Sequence, residues 1–225
     1  MNDLAHPQTQ KAEKFGAPSL ALCSTDWFSL ERLCAGSPRQ RAVYAILTEA
    51  AVFEALDGFS PCLVGTIPLD IDIPQSDADI VCSAPSLEEF ALIVRERFGG
   101  CEGFSLRHGA HQGVESVVAG FMLRNANAKA ASHLPVEIFA QILPVERQRA
   151  YRHLAVEARL LGLAGEEARL AIRRLKGSGM KTEPAFVAYF GIEVGNESDA
   201  FERLYDLYSA SDEDLQSECK KIRKK

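Results

Sequence analysis

The chain has 225 residues, 47% hydrophobic and 25% charged, with a formal net charge of −6. That length suits one large domain, or one domain with a helical appendage, and the composition is that of a soluble globular protein. The acidic balance argues against broad, non-specific nucleic-acid binding without excluding a local basic face.

The cysteines (Cys23, Cys34, Cys62, Cys82, Cys101 and Cys219) form no close pair of the zinc-ribbon type, and no histidine cluster accompanies them, so no zinc site is expected. The start is polar (Asn2, Asp3, His6, Gln8, Gln10) and lacks an apolar signal core. No stretch is long and apolar enough to span a bilayer. The expectation is a cytoplasmic protein with reduced thiols and no membrane partner.

Residues 1–16 read as a tail, and Trp27 to Leu30 as the start of a short helix. Ser37 and Pro38 give an N-cap and a first-turn proline for a helix through Val43, Ile46, Leu47, Ala50 and Phe53, ending near Asp57 and Gly58. Cys62 to Val64 reads as a short buried strand, and Ile80 to Cys82 as part of a second. Ser86, with Glu89 as a capping box, opens a helix that Gly99 and Gly100 stop. Strands are expected at Phe104 to Arg107, Ser116 to Leu123 and Leu134 to Phe139, with turns at Gly109 to Gly113 and Asn125 to Lys129. After Pro144 the texture turns helical: Val145 to Leu163, Glu166 to Lys176, a helix capped at Thr182, and Ser198 to Tyr208, followed by a basic tail. The class is α+β (mixed α/β), a sheet flanked by helices with a C-terminal helical part. The expected division is residues 1–36, an N-terminal tail and short helix; residues 37–144, the αβ core; and residues 145–225, a helical region packed on that core.

The chemistry concentrates at Leu63-Val64-Gly65-Thr66 and Ser76-Asp77-Ala78-Asp79-Ile80. Alternate strand residues share a face, so Asp77 and Asp79 point the same way. Two neighbouring hard oxygen ligands make a divalent-cation site, and Mg²⁺ usually binds through one or two carboxylates plus substrate phosphates. Gly65 lets backbone approach a phosphate closely, and Thr66 adds a hydroxyl. A third carboxylate would complete a two-metal site, and Glu137, amid the apolar run Leu134 to Phe139, is the candidate. The alternative for Glu137 is an exposed residue on the solvent face of an edge strand.

These residues resemble the nucleotidyltransferase superfamily: an apolar strand, Gly-Ser or Gly-Gly, a loop, Asp-x-Asp on the next strand and a third acid on a later one. Gly65-Thr66, Asp77-Ala78-Asp79 and Glu137 fill those positions in order, and Ser76 completes a Ser-Asp-x-Asp signature. More closely, Val64 to Pro68, Ile71 to Pro74, Pro135 to Glu137, Tyr151 to His153 and Lys181 to Phe186 resemble an uncharacterised bacterial domain-of-unknown-function family assigned to that superfamily. The resemblance covers about residues 37–191. It implies a nucleotidyltransferase-like sheet, with Asp77, Asp79 and Glu137 as both catalytic residues and ligands of Mg²⁺ or Mn²⁺. It further implies transfer of a nucleoside monophosphate from a nucleoside triphosphate to a hydroxyl of a small-molecule, protein or RNA acceptor. The chain departs from the pattern at Thr66 and in the loop segment Pro68 to Asp72, where Asp70 and Asp72 form a rival acidic pair expected to shape the loop.

Weaker signals complete the candidate site. Arg149, Arg152 or His153, and Glu157 share one face of a predicted helix. Arg152 would neutralise a triphosphate, and His153 would bind substrate or carry a proton. Lys176 and Lys181 flank Gly177-Ser178-Gly179, a loop able to hold phosphate, though helix termination accounts for it equally. His108 and His111 fall on a predicted exposed hairpin. A non-catalytic nucleotide-binding or regulatory module on the same fold is the alternative function, and a protein-interaction domain the third.

Overall fold

The computed structural model of the protein describes residues 26–124, 133–196 and 199–219. The predicted N-terminal tail, the Asn125 to Lys129 turn and the basic tail lie outside the described residues.

Helices α1 (Glu31–Cys34), α2 (Pro38–Glu49) and α3 (Val52–Ala55) lead into strand β1 (Cys62–Val64). Ser37 accepts from the Gln40 amide while the Gln40 side chain accepts from the Ser37 amide, a reciprocal capping box that fixes the start of α2. The expected single helix to Gly58 is broken. Ala51 takes a left-handed conformation with φ of 50°, which turns the chain so that Val52 and Leu56 become fully buried. Gly58 lies inside a 3₁₀ turn (Asp57–Phe59), and Ser60, not Gly58, adopts the left-handed cap.

β2 (Ala78–Ser83) is followed by α4 (Leu87–Phe98), then β3 (Glu102–His111), β4 (Val114–Arg124) and β5 (His133–Gln141). Ser86 caps α4 by accepting from the Glu89 amide, without the return bond that a full box requires. β3 and β4 are longer than their apolar runs suggest. A two-residue turn at Gln112 and Gly113, both with positive φ, joins them, so the strand continues through the predicted loop to His111. His108 and His111 are exposed, as expected.

The sheet order is β1-β2-β5-β4-β3. β2 and β5 are parallel; the other neighbours are antiparallel. One face is covered by α2, α3 and α4 through a core that includes Ile46, Leu47, Ile80, Phe90, Ala119 and Ile138. On the other face, Cys62, Val64 and Val81 pack against the later helices. Those are α5 (Arg149–Ala164), α6 (Glu166–Gly177), α7 (Thr182–Phe190), α8 (Asp199–Asp206) and α9 (Asp212–Glu218).

α5 organises this second layer. The predicted helix from Val145 is interrupted at Gln148, whose backbone is extended and whose Nε2 donates to the Cys82 carbonyl at 2.8 Å and the Leu143 carbonyl at 3.0 Å, pinning α5 to the end of β2. Arg149 pairs with Glu202 of α8, and Arg159 holds Asp212 of α9 at 2.7 Å. α9 was not expected; Ser211 and Asp214 form its capping box. At α7, Lys181 occupies the N-cap position without a side-chain bond, because the Thr182 hydroxyl is used elsewhere.

Ile138 is fully buried on the strand that carries Glu137. Ile138→Ala is expected to lower stability by about 2–5 kcal/mol, read as a reduced denaturation midpoint with an unchanged slope.

Candidate functional site

The site begins where β1 ends. Gly65 follows Val64 with φ of +72°, and a Cβ placed on it would lie 2.4 Å from Asp79 Oδ2. Glycine is required twice over, by the backbone conformation and by the carboxylate pressed against it. The loop beyond has no regular structure and is braced residue by residue. The Thr66 hydroxyl donates to Ser76 Oγ at 3.4 Å, and Ser76 Oγ accepts from the Ile73 amide at 3.0 Å. Arg39 donates to the Ser76 carbonyl at 3.2 Å, and Gln40 to the Ile67 carbonyl at 2.9 Å.

Asp70 and Asp72 belong to this bracing. Asp70 faces Arg173 at 3.2 Å, and Asp72 faces Arg39 at 3.5 Å. Burial pushes the Asp72 carboxyl above the ordinary carboxylate range despite Arg39.

Asp77 and Asp79 follow on the path into β2. Asp79 sits opposite Val64 on β1 and in register with Glu137 on the parallel strand β5. Register partners share a face, so Asp79 and Glu137 project to the same side, with Asp77 two residues earlier on that side. Burial pushes the Asp79 carboxyl from an ordinary 3.8 up to about 7; the charges of Asp77 and Glu137 add to the effect, Lys176 opposes it and Glu183 adds a little more. Glu137 pairs with Arg107 of β3 at 3.5 Å. Arg107, whose neighbour on β4 is Val118, reaches Glu137 across that strand.

Among the described residues, no three His, Cys, Asp or Glu side chains stand close enough to share one ion. The donor set still suits a hard divalent cation, because Mg²⁺ needs only one or two carboxylates when phosphates supply further oxygens. The raised proton affinity of Asp79 comes first from burial and then from the nearby charges of Asp77 and Glu137.

These acids lie along a cleft of about 870 Å³ between the sheet and the C-terminal helices. Gly65, Thr66, Asp79 and Glu137 line the sheet side, and Arg149, His153, Glu157, Glu183 and Tyr205 line the helical side. Asp77 and Ser76 stand beside the lining, at the loop. Of the two helix faces proposed from sequence, the one presented is Arg149, His153 and Glu157. His153 Nε2 donates to the Phe201 carbonyl at 2.9 Å, and Nδ1 faces Glu183 Oε1 at 3.2 Å.

The remaining predicted residues stand off the cleft wall. Arg152 donates to Tyr205 Oη at 2.7 Å and lies 4.9 Å from the Tyr208 ring centroid, inside the helical layer. Lys176 is buried, its Nζ donates to Thr182 Oγ1 at 2.9 Å, and burial pulls its ammonium below the ordinary lysine range. Lys181 is exposed, with its Nζ 5.7 Å from the Phe201 ring centroid. Sequence reasoning missed Arg107, Glu183 and Tyr205 as members of the cleft. Glu183 falls within the Lys181 to Phe186 block without being singled out there, and Arg107 and Tyr205 carry no motif; Arg107 becomes visible only once β3 is known to lie next to β4.

The family described as domain of unknown function DUF4269 matches residues 45–207. Comparison with curated protein sequences finds no match. Among solved structures, similarity is found to Cid1 poly(U) polymerase bound to MgGTP, at 12% identity, a TM-score of 0.43, and coverage of 74% of this chain and 45% of that one. A cytoplasmic RNA terminal U-transferase matches at 13% identity and a TM-score of 0.42, over 68% of this chain and 42% of that one. The chain thus spans less than half the length of these structures.

Gly65→Ala is expected to cost at least about 1–2 kcal/mol from the left-handed backbone alone, with more from displacing Asp79, measured by chemical denaturation. In divalent-free buffer, the native state holds a proton on Asp79 that the unfolded chain releases near 3.8. Stability is therefore fullest below that value and falls as pH rises through about 7, by up to roughly 4 kcal/mol from this residue. Asp79→Asn is expected to flatten that fall in melting temperatures recorded between pH 4.5 and 8.

Proposed function

We propose that this chain, which belongs to the DUF4269 family, is a metal-dependent nucleotidyltransferase that moves a nucleoside monophosphate from a nucleoside triphosphate onto a hydroxyl acceptor. The observation that carries the reading is the register of Asp79 with Glu137 on neighbouring parallel strands, with the Gly65 turn packed against Asp79 at the cleft. Asp79 and Glu137 line one side of the cleft from separate stretches of chain, next to the Gly65 turn, which would take a phosphate.

Asp77 and Asp79 would hold Mg²⁺ or Mn²⁺ together with oxygens of the phosphates, with Glu137 beside them on β5; when bound, the ion offsets phosphate charge and organises the phosphate chain. Gly65 and Thr66 position the β- and γ-phosphates, with Ser76 fixing Thr66. Arg149 and His153 face the phosphate region from α5. The acceptor oxygen bonds to the α-phosphorus, and the bond from that phosphorus to the α–β bridging oxygen breaks. Pyrophosphate leaves with the electron pair, and the hydroxyl proton passes to the Glu137 carboxylate and then to water. Arg152, Lys176 and Lys181 support the helical wall in this reading.

One observation favours a second reading. Glu137 is engaged by Arg107 at 3.5 Å, as suits a nucleotide-binding module that performs no turnover. The two readings separate in one experiment. With Mn²⁺ and a panel of α-labelled nucleoside triphosphates, the enzyme releases pyrophosphate and transfers label to itself, to water or to an added acceptor; the binding module only gains thermal stability. Asp77→Asn or Asp79→Asn is expected to abolish the metal-dependent thermal shift in both cases, and label transfer by at least about 100-fold in the first. No shift with any triphosphate would overturn both.

A further inference from the structure

A second cavity lies against the loop between Gly65 and Asp77. It has a volume of about 350 Å³ and shares no lining residue with the cleft. Trp27 and Arg32 line it from the start of the described chain, Pro68 and Asp70 from the loop, Arg159 from α5 and Arg169 from α6. Three arginines thus meet here with a single carboxylate among the described residues that line the cavity. That carboxylate, Asp70, faces Arg173 at 3.2 Å.

The three arginines differ in how their charge is answered. Arg159 is fully engaged, by Asp212 at 2.7 Å and the Ala210 carbonyl at 2.6 Å. Arg169 has only Glu166, one turn earlier, at 3.7 Å; that side chain is 66% exposed, so water weakens the pair. Arg32 faces no carboxylate within ion-pair distance among the described residues. Its Nη2 donates to the Pro68 carbonyl at 3.1 Å, and its guanidinium lies 3.6 Å from the Trp27 ring centroid. Stacking on the indole satisfies the flat face of the cation and leaves its in-plane N–H groups to find acceptors. Nη1 is buried and finds none. Burial pulls the Arg32 guanidinium down to about 10. A cation withdrawn from water with neither counter-charge nor a full set of acceptors costs stability.

An anion answers both deficits, because it accepts from the idle N–H and supplies the missing charge. A neutral ligand supplies the acceptor alone. A phosphate group suits the cavity better than a carboxylate: it carries about −1.5 to −2 charges near neutral pH, against two incompletely answered guanidiniums. Its oxygens also match the planar fork of an arginine. The volume lies at the lower end of the range for ligand pockets, which limits the occupant to a small molecule. We propose that this cavity is an anion site, separate from the cleft, in which Arg32 and Arg169 bind a phosphate group, either as free phosphate or as a small phosphate monoester. The site stands independently of the nucleotidyl-transfer reading.

The test titrates inorganic phosphate and glycerol 3-phosphate into the full chain by calorimetry, without nucleotide or divalent ions, and compares acetate. Trp27 is the only tryptophan in the chain, so its emission reports on events at Arg32. Phosphate or its monoester is expected to bind at least about tenfold more tightly than acetate, with a saturable change in Trp27 emission. Arg32→Gln is expected to abolish that binding and Arg169→Gln to weaken it several-fold. Tighter binding of glycerol 3-phosphate identifies a monoester site; tighter binding of inorganic phosphate identifies a free-phosphate site. Absence of binding, parity with acetate, or binding that survives Arg32→Gln overturns the proposal. Should Arg32→Gln not fold, Arg169→Gln decides, and an unchanged affinity in that variant overturns it.

Discussion

The candidate site depends on the contact between the Gly65 backbone and the Asp79 carboxylate. A side chain at residue 65 would occupy the space of Asp79 Oδ2, only 2.4 Å from an added Cβ. The antiparallel register of β1 and β2 places Val64 opposite Asp79, so the turn that leaves β1 must pass directly over the acid. The parallel register of β2 and β5 then sets Glu137 beside it. A one-residue slip in either pairing would send these acids to the opposite face, into the apolar core of Ile80 and Ile138. Burial of that core on one face therefore fixes the position of the polar cluster on the other.

The loop between Gly65 and Asp77 depends on the same arrangement. It lacks a helix or strand of its own, so side chains from both helical layers hold its backbone. Arg39 and Gln40 come from α2, and Arg173 from α6. Here Asp70 and Asp72 find their use, each facing an arginine, which separates them from the Asp77 and Asp79 pair despite the similar spacing in the sequence. The distinction is one of environment: the first pair is answered by fixed cations, while the second has no ion pair among the described residues, and burial more than neighbouring charge raises the proton affinity of Asp79.

Local chemistry made much of this legible. Ser37 and Gln40, Ser86, the Cys62 to Val64 run and the amphipathic stretches after Pro144 carry their own signals, and the elements form there. Asp79 and Glu137 could be placed on strands because spacing within a strand fixes a face, while Asp77, read as part of the same strand, stands one residue before it. The break at Ala51 was not legible, since alanine carries no turn signal and its left-handed backbone is imposed by the burial of Val52 and Leu56. Arg152 and Lys176 stand off the cleft wall for a related reason. Helical spacing limits which residues share a face but does not say which face meets the cleft; that depends on how α5, α6 and α8 pack. Arg107 was invisible because it reaches Glu137 across an intervening strand.

The distribution of paired and unpaired charge carries the argument further than the motif does. Asp70, Asp72, Glu137, Glu183 and Glu202 each face an arginine or a histidine, and they hold the loop and the helical wall in place. Asp79 and Glu157 face none within ion-pair distance among the described residues, and both bear carboxyl groups with raised proton affinity. A fold selected for stability alone would replace such groups with apolar or hydrogen-bonded ones, since buried unpaired charge is among the costliest features a core can carry. Departures from local consistency concentrate where a protein binds or reacts. These two lie on opposite walls of one cleft, Asp79 on the sheet side beside the Gly65 turn and Glu157 on α5. The transfer proposed for this chain would use such a separation, with its two reactants held from opposite walls.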